Sequence, residues 1–442
     1  MLPLYVWVHY VINKQPANQY QNIAVLQRIV IIKVYYKYIR GILMEKFKLV
    51  AEKYHGEIVK TAQELIRINS QSTQEAQLAQ YTQDKMRTLG YDKVVTDRWG
   101  NVFGIMHGTG GGSSVTLNCH LDVVYESDHS KWKYPPFSGE IAEGKIWGRG
   151  ASDTKGTFAI QLYIPVMLKE LGMLPKGDIV VSGVVCEEIG GFGAMMQTND
   201  DFMLTDYVII GEASENDLAI SCRGRCCCVV TIKGKSCHAS TPYLGKNPFD
   251  VLGPLLCEIK NIPLGYDETM GYSTVTATNI KTSEKGTNII QNELVLYIDY
   301  RQVPCDTIDV AVEKVRQAVE RCGMDDFEVT VEPGRSPVTA YTGATEMGFD
   351  GEKPFAVSAD EEYVVFCKEV LEQAVGHTVK TKGWSFATDT GHYAEKGCKC
   401  IGYSPAEAAL CHTTEDNIDL EMMKEAEVGY LALAYNLANR DK

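Results

Sequence analysis

The stretch "SSVTLNCHLD" at residues 113–122 has the apolar, β-rich composition of a buried strand. A helical pattern, "TKGTFAIQLYIPVMLKELG", follows at residues 154–172 and ends at a glycine. Two further apolar runs, "DIVVSGVVCEE" at residues 178–188 and "DYVIIGE" at residues 206–212, are predicted strands. Because strand, helix and strand alternate, we expect a mixed, largely parallel α/β sheet flanked by helices.

The order of the predicted elements changes from about residue 221 onward. The successive patterns are a strand in "CCCVVTIKG", a helix in "NPFDVLGPLLCEIKNI", strands in "STVTATNIKT" and "ELVLYIDYRQ", a helix in "IDVAVEKVRQAVERCG" and a strand in "FEVTVEP". The order β-α-β-β-α-β is that of the ferredoxin-like unit. Residues 221–335 are therefore predicted to form an α+β domain inserted between residues 44–220 and residues 336–442 of the first domain.

The first 43 residues differ in composition from the rest of the chain. They contain five basic residues and no acidic residue, whereas the whole chain carries 43 basic and 57 acidic residues. Our preferred interpretation is that residues 1–43 are an atypical extension and that translation starts at Met44. There "MEKFKLVAEKYHGEIVKTAQELIRI" opens an amphipathic helix. A basic segment that lies on a membrane surface is the alternative.

Composition excludes some classes of protein. The net charge of -14 argues against binding to nucleic acid, which needs a dense excess of Lys and Arg. The 14 cysteines include three consecutive ones, Cys226–Cys228, which cannot all be bridged because neighbouring strand residues point to opposite faces. No secretory signal precedes them. We predict reduced cysteines and a cytoplasmic protein.

Acidic and imidazole side chains stand at the carboxyl ends of the predicted parallel strands or close to them. They are His120, Asp122, Asp153, Glu187, Glu188 and Glu212. Ligands of open α/β sheets bind at that edge. Carboxylates that converge there repel one another unless cations neutralise them. A mixture of imidazole and carboxylate donors suits zinc, with manganese or cobalt as substitutes.

Six motifs together resemble one family of metallohydrolases. They are "CHLDVV" at 119–124, "GRGASDTKG" at 148–156, "CEEIGG" at 186–191, "GE" at 211–212, "KSCHAS" at 235–240 and "CHTTEDNI" at 411–418. Their order resembles that of the family of acetylornithine deacetylase, succinyl-diaminopimelate desuccinylase, aminoacylase and carboxypeptidase G, and most of all its uncharacterised bacterial members. The resemblance covers nearly everything after Met44. It implies a zinc-peptidase-like catalytic domain with an inserted lid and dimerisation domain.

The resemblance also implies a dinuclear zinc site. The implied ligands are His120 and Glu212 for one ion, Glu188 and His412 for the other, and Asp153 as the bridge. Asp122 would hold the second nitrogen of the His120 imidazole, and the peptide bond from Asp153 to Thr154 would be cis. Glu187 would be the general base that takes a proton from water activated by the metals.

These residues imply a hydrolase that cleaves an amide or peptide bond of an N-acyl amino acid or a small peptide with a free carboxylate. The alternative is a metal-stabilised scaffold or binding protein of the same fold without catalysis. Such a scaffold would close its ligand shell, whereas a catalytic centre keeps an open position with a base beside it. Glu187 next to Glu188 favours the enzyme.

Residues of the inserted domain are implied to complete the site. In the family, the histidine at the position of His238 stabilises the oxyanion in the active site of the opposite subunit of a homodimer. Asn288 and Arg301 match positions that hold the free carboxylate of the substrate. Thr388 and Asp389 match a segment near the pocket. A surface histidine in a turn and an ordinary strand-edge arginine are the alternatives for His238 and Arg301.

Overall fold

The computed structural model of the chain describes the backbone of residues 20–442 and the side chains of residues 41–442. The described part of the chain divides into two compact units between Val50 and Ala51, and the site residues discussed below belong to the second. Of the atypical extension predicted for residues 1–43, residues 1–19 lie outside the described residues, and side chains are described only from residue 41.

The first helix requires a correction of the sequence-based expectation. It begins at Tyr20 rather than at Met44, because the residues between contain no proline and one glycine to interrupt it. No helix of the described residues is long and apolar enough to cross a membrane. The helices are α1 (Tyr20–Ile66), α2 (Ala76–Thr88), α3 (Gly156–Glu170), α4 (Phe192–Asn199), α5 (Phe249–Ile259), α6 (Ile308–Arg321), α7 (Glu362–Val375), α8 (Thr390–Glu395) and α9 (Leu420–Ala438).

The strands form a large sheet, an inserted sheet and several small ones. They are β1 (Lys93–Thr96), β2 (Val102–Met106), β3 (Val115–His120), β4 (Glu140–Ala142), β5 (Lys145–Trp147), β6 (Ile179–Val184), β7 (Tyr207–Ile210), β8 (Leu218–Cys222), β9 (Gly224–Lys233), β10 (Tyr266–Asp267), β11 (Gly271–Tyr272), β12 (Thr274–Thr282), β13 (Glu293–Gln302), β14 (Glu328–Pro333), β15 (Arg335–Thr339), β16 (Thr345–Phe349), β17 (Gly351–Glu352), β18 (Phe355–Ala356), β19 (Thr381–Trp384), β20 (Lys399–Gly402) and β21 (Asn417–Asp419).

The large sheet has nine strands in the order β1-β2-β6-β3-β7-β20-β8-β18, with β19 paired to β8. Strand β3 pairs in parallel with β6 and β7, which confirms the predicted α/β arrangement. The first two strands and β18 pair antiparallel, so the sheet is mixed. Every residue of β3 and β6 is buried, as expected for strands covered on both faces.

The inserted sheet follows the predicted β-α-β-β-α-β order. Its strands are arranged as β12-β13-β9-β14, all antiparallel, and β17 also pairs with β9. Helices α5 and α6 pack against it, and the alternate residues Cys226, Cys228 and Val230 of β9 are buried. The opposite face, which carries Arg225 and Tyr297 and is called the outer face below, is half-buried. The domain limits at residues 221 and 335 remain a prediction.

Candidate metal centre

Most of the predicted ligand residues stand at the carboxyl ends of neighbouring parallel strands. His120 is the last residue of β3, and Glu212 lies two residues beyond the end of β7. Glu187 and Glu188 follow β6 after a two-residue turn. Because β3 lies between β6 and β7 and runs parallel to both, the three strand ends meet at one edge of the sheet. The topology therefore brings these side chains together.

The first candidate metal group consists of His120, Asp153 and Glu212, all of which are buried. Nε2 of His120 lies 2.9 Å from Oδ1 of Asp153 and 3.5 Å from Oε1 of Glu212. One donor atom of each residue lies within 4.8 Å of the other two. An imidazole nitrogen and two carboxylate oxygens at this spacing are donors that suit a divalent ion such as zinc.

The second candidate metal group shares Asp153 with the first and adds Glu188 and His412. Nε2 of His412 lies 3.0 Å from Oδ2 of Asp153 and 3.0 Å from Oε2 of Glu188. Asp153 thus offers one carboxylate oxygen to each group. The peptide bond between Asp153 and Thr154 is cis, as the family resemblance implied.

The charges of the two groups favour bound cations. Burial, and then the charge of Asp153, raises the pKa of Glu212 well above its ordinary value, and the same two causes raise the pKa of Glu188. Among residues 41–442, the buried Oε1 of Glu188 finds no hydrogen-bond partner. A cation would stabilise the ionised carboxylates and give this oxygen a partner. The residues present therefore fit a metal centre.

The carboxylate of Asp122 lies within ion-pair distance of the His120 imidazole, as the family resemblance implied, but its hydrogen bonds come from other groups. Nδ1 of His120 lies 2.9 Å from the backbone carbonyl of Asp122, whereas the carboxylate oxygen Oδ1 is 3.7 Å away. The backbone N–H groups of Glu187 and Glu188 donate to the two carboxylate oxygens at 3.0 and 3.1 Å. The hydroxyl of Ser72 donates at 2.7 Å. These donors engage the carboxylate, so Asp122 orients the turn that carries Glu187.

Two residues with no predicted role connect the loop of the bridging aspartate to the segment that carries His412. Buried Asp416 accepts a hydrogen bond from Arg149 at 3.1 Å. It also accepts from the backbone N–H groups of Gly150 and Ser152 at 2.7 and 2.9 Å. Burial raises the pKa of Asp416 to about 7. Their signal in the sequence is their position inside two of the motifs, "GRGASDTKG" and "CHTTEDNI".

A cavity of about 980 Å³, called the metal cavity below, is lined by residues of both candidate groups and by residues of the inserted sheet. Arg225, Arg301 and Glu352 line it together with Glu187. Asp299 accepts from Nε of Arg225 at 2.9 Å and from Nε of Arg301 at 2.8 Å. Arg301 was a predicted site residue. Arg225 and Glu352 were missed, because nothing in their local sequence distinguishes them from ordinary strand residues.

Glu187 is buried in the wall of the metal cavity. Burial, and then the charge of Glu352, raises the pKa of Glu187 well above its ordinary value. Burial and the charge of Asp389 raise the pKa of Glu352 to about 8. Oε2 of Glu352 is buried and has no hydrogen-bond partner in the described part of the chain. Burial and neighbouring negative charge both favour the protonated form of these carboxyl groups.

Three further predicted residues are not among the described residues that line the metal cavity. His238 is exposed, and its Nδ1 lies 2.7 Å from the hydroxyl oxygen of Ser240. Asn288 is also exposed, and its backbone carbonyl accepts from the N–H group of Ala239 at 2.9 Å, which places it beside His238. Thr388 is fully buried.

Two curated relatives match most of the chain. The uncharacterised protein YgeY of Escherichia coli strain K12 is 27% identical over 384 residues, which cover 84% of this chain and 92% of YgeY. The succinyl-diaminopimelate desuccinylase of Corynebacterium glutamicum is 23% identical over 378 residues, which cover 84% of this chain and 94% of the desuccinylase. The similarity therefore extends well beyond the motifs.

Solved structures share the fold at low sequence identity. A tripeptidase from Staphylococcus aureus matches with a TM-score of 0.67 and 20% identity, covering 87% of this chain and 99% of the tripeptidase. The YxeP protein of Bacillus subtilis, described as a dinuclear metal-binding peptidase, matches with a TM-score of 0.64 and 13% identity, covering 88% of this chain and 99% of YxeP. These matches confirm the predicted fold class.

A match to a family profile establishes the family to which the chain belongs. The profile of peptidase family M20/M25/M40 matches residues 116–436, which is more than half of the 442-residue chain. This result confirms the resemblance that the motifs suggested, and it favours the enzyme over the scaffold without catalysis. The chain belongs to peptidase family M20/M25/M40 and is a metal-dependent hydrolase of the peptidase or deacylase type.

Proposed function

We propose that the protein hydrolyses an amide or peptide bond in an N-acyl amino acid or a small peptide that carries a free carboxylate. The observation that carries this proposal is the shared position of Asp153, whose two oxygens lie 2.9 Å from His120 and 3.0 Å from His412. The names of a desuccinylase and a tripeptidase among the similar proteins support the substrate class.

Two divalent ions are the cofactors we propose, and zinc is the expected metal, with cobalt or manganese as substitutes. The ligands would be His120, Asp153 and Glu212 for one ion and Asp153, Glu188 and His412 for the other. Imidazole nitrogens mixed with carboxylate oxygens suit zinc. When bound, such a pair of ions activates a water molecule and polarises the carbonyl of the amide.

Glu187 is the proposed general base. Its carboxyl group is buried in the wall of the metal cavity beside the ligand Glu188, and its pKa is raised by burial. Such a carboxylate takes the proton of the attacking water and later passes it to the leaving nitrogen. Asp122 accepts from the backbone N–H groups of both glutamates, so it positions the base relative to the ligand.

Arg301 is the proposed partner of the substrate carboxylate. Its side chain lines the metal cavity, and its Nε is engaged by Asp299. Asp299 thereby holds the guanidinium at Nε, and the two terminal nitrogens are the donors that would bind a planar carboxylate. Thr388 remains a predicted pocket residue. Because it is fully buried, it would act by holding the neighbouring Phe386 and Ala387, which line the cavity.

A homodimer formed through the inserted domain is the proposed assembly. Strand β12 forms an edge of the inserted sheet in the described structure and is exposed along most of its length. An exposed edge strand is suited to pairing with a second copy. His238 and Asn288 lie side by side outside the cavity of their own chain. We propose that both reach the metal cavity of the partner subunit, where His238 stabilises the oxyanion.

The test uses the purified full chain, stripped of metal by a chelator and reloaded with zinc, cobalt or manganese. We expect about two ions per chain at full activity, and hydrolysis of at least one compound in a panel of N-acyl amino acids, dipeptides and tripeptides. The variant His377→Ala is the control, because His377 is exposed and pairs with Glu425 at 2.9 Å. It should keep metal and activity. A chain with its full metal content that hydrolyses nothing in the panel contradicts the proposal.

The cytoplasm remains the predicted compartment. The prediction depends on the 14 cysteines, which are all unpaired in the structure and which we expect to stay reduced. Fractionation of cells that express the protein, followed by detection in the soluble and membrane fractions, tests it. Recovery in the membrane fraction would contradict it.

A further inference from the structure

We propose that the outer face of the inserted sheet carries a second binding site, which recognises a negative charge at the far end of an oligopeptide substrate. The inference rests on the proposed function, because it extends the path of the substrate away from the metal groups. Three observations support it: a separate cavity, two cations without carboxylate partners, and the register of the strands in the inserted sheet.

The second cavity has a volume of about 640 Å³ and shares Ser336 and Asp350 with the metal cavity. Its floor is formed by residues of the outer face, among them Val229 of β9 and Tyr297 of β13. Because the two cavities have lining residues in common, they adjoin each other.

The same two strands of the inserted sheet, β9 and β13, contribute lining residues to both cavities. Arg301 stands opposite Arg225, and Tyr297 stands opposite Val229 in the pairing of β13 with β9. Residues two apart on a strand point to the same face, so Arg301, Asp299 and Tyr297 form one row. Four strand residues span about 13 Å. A short substrate therefore ends at Arg301, whereas a peptide of about five residues reaches the second cavity.

Two cationic side chains, Lys281 and Arg335, line the second cavity, and both are exposed. Neither has a carboxylate partner among the described residues. Nζ of Lys281 lies 4.9 Å from the centre of the Tyr297 ring. The chain as a whole has a net charge of -14. A groove lined by two cations without carboxylate partners is therefore an exception on its surface, and its local positive charge would attract an anion.

The acidic residues of the second cavity do not neutralise these cations. Asp350 accepts from Arg225 at 2.6 Å and is therefore occupied. Glu332 is exposed and forms no ion pair with a described residue. Two free cations thus face one free acid. The ligand with matching chemistry is an extended peptide with a carboxylate at its far end. Such a site would determine which substrates bind, and it would not change the chemical step.

The test compares two matched pairs of pentapeptides with the dipeptide Ala-Ala. One pair is Ala-Ala-Ala-Ala-Glu and Ala-Ala-Ala-Ala-Gln, both with a free C-terminal carboxylate, and the other is acetyl-Glu-Ala-Ala-Ala-Ala and acetyl-Gln-Ala-Ala-Ala-Ala. We expect the metal-loaded wild type to prefer the acidic member of one pair by about five-fold in kcat/KM. The double variant K281M/R335Q should lose that preference and keep its activity on Ala-Ala. Added salt should weaken the preference of the wild type.

The matched control is the double variant K233M/R321Q, which removes the same charge from the same sheet and its helix. Lys233 and Arg321 pair with Glu328 and Glu258 at 2.6 Å, outside both cavities. This control should behave like the wild type. Any of three results overturns the proposal. These are equal rates within both pairs, a preference that is still present in K281M/R335Q, or the same loss of preference in the control.

A binding measurement separates this proposal from the proposed function. If the metal-loaded wild type hydrolyses none of the peptides, the hydrolase assignment fails, but the second site is still tested by isothermal titration of the same peptides. Tighter binding of one acidic member to the wild type, lost in K281M/R335Q, then supports the site. Equal affinity for acidic and neutral members overturns it.

Discussion

In the two candidate metal groups the charged side chains contact one another, and all of them except His412 are largely buried. Asp153 lies between His120 and His412 at 2.9 and 3.0 Å, and its own side chain is 9% exposed. On the outer face of the inserted sheet, in contrast, Arg225 and Arg301 are 32% and 43% exposed and share Asp299. The carboxylates of the metal groups are thus shielded from water, whereas the two arginines are partly hydrated.

This difference sets the expected sensitivity of each region to substitution. Removing one partner of a buried charged group leaves the others unpaired, which costs several kcal/mol. Removing a half-exposed charge costs less, because water screens and replaces its interactions. We therefore expect effects that decrease from the metal cavity to the sheet face.

The largest effect is expected for Asp153→Ala. Both metal groups lose a ligand at once, so we expect loss of the bound ions and a fall in kcat/KM of more than about 10³-fold. Elemental analysis of the protein and steady-state kinetics measure the two changes. Asp84→Ala, at an exposed residue paired with Arg87 at 2.8 Å, is the control. If Asp153→Ala retains both ions, Asp153 is not a shared ligand, and the two metal groups do not depend on it.

Glu187→Gln should separate chemistry from metal binding. The amide has the same shape but takes up no proton, so kcat should fall by about 10² to 10⁴-fold while the metal content stays unchanged. Kinetics on samples with a verified metal content provide the measurement. Near wild-type turnover in such a sample would falsify the role of Glu187 as the general base.

His238→Ala tests whether the inserted domain completes the site of the partner subunit. Loss of an oxyanion donor should lower kcat by about 10² to 10³-fold. Mixing this variant with Glu187→Gln should restore activity, because a mixed dimer contains one cavity with an intact base and an intact partner histidine. Activity is measured after dissociation and reassociation of the mixture. If mixing restores nothing, His238 does not act across subunits.

Arg301→Met should show the smaller, graded effect of the sheet face. Loss of a charged hydrogen bond to the substrate carboxylate should raise KM by about ten-fold, with little change in kcat. Arg321→Met, at an arginine that pairs with Glu258 outside the metal cavity, is the control. A fall in kcat as large as that of Glu187→Gln would show that the two regions are not distinct.

The smallest effect is expected on the pH dependence of stability. Both ring nitrogens of His392 are buried without a partner among residues 41–442, and burial lowers its pKa from 6.5 to about 3. Between these values the unfolded chain takes up a proton that the folded chain does not, so stability falls as the pH drops below about 6.5.

His392→Leu should remove that contribution. In chelated samples, lowering the pH from 6 to 4 should reduce the free energy of unfolding of both proteins. The reduction should be smaller for the variant than for the wild type by about 1.4 kcal/mol per pH unit. Urea denaturation at several pH values measures the slopes. Identical slopes would mean that His392 is hydrated or paired in the folded protein.

Three of the candidate ligands, His120, Glu188 and Glu212, were open to prediction because each occupies a local motif at or near a strand end, whereas Asp153 and His412 were implied by the family motifs. The alternation of strands with a helix implies parallel pairing, and parallel pairing brings the ends that carry His120, Glu188 and Glu212 to one edge. The partners of the Asp122 carboxylate were not open to prediction. They are backbone N–H groups 65 and 66 residues away, and nothing within the motif "CHLDVV" indicates them.

Patterns that extend over a few residues predict three features of the protein: the α/β order, the ferredoxin-like order of the inserted segment and the set of metal-type donors. Only the tertiary structure placed Glu352 and Arg225 in the same cavity as Glu187, through the pairing of β17 with β9. It likewise set Arg301 opposite Arg225. The physical reason is that propensity and periodicity act locally. Strand register and burial depend on contacts between segments that are far apart in the chain.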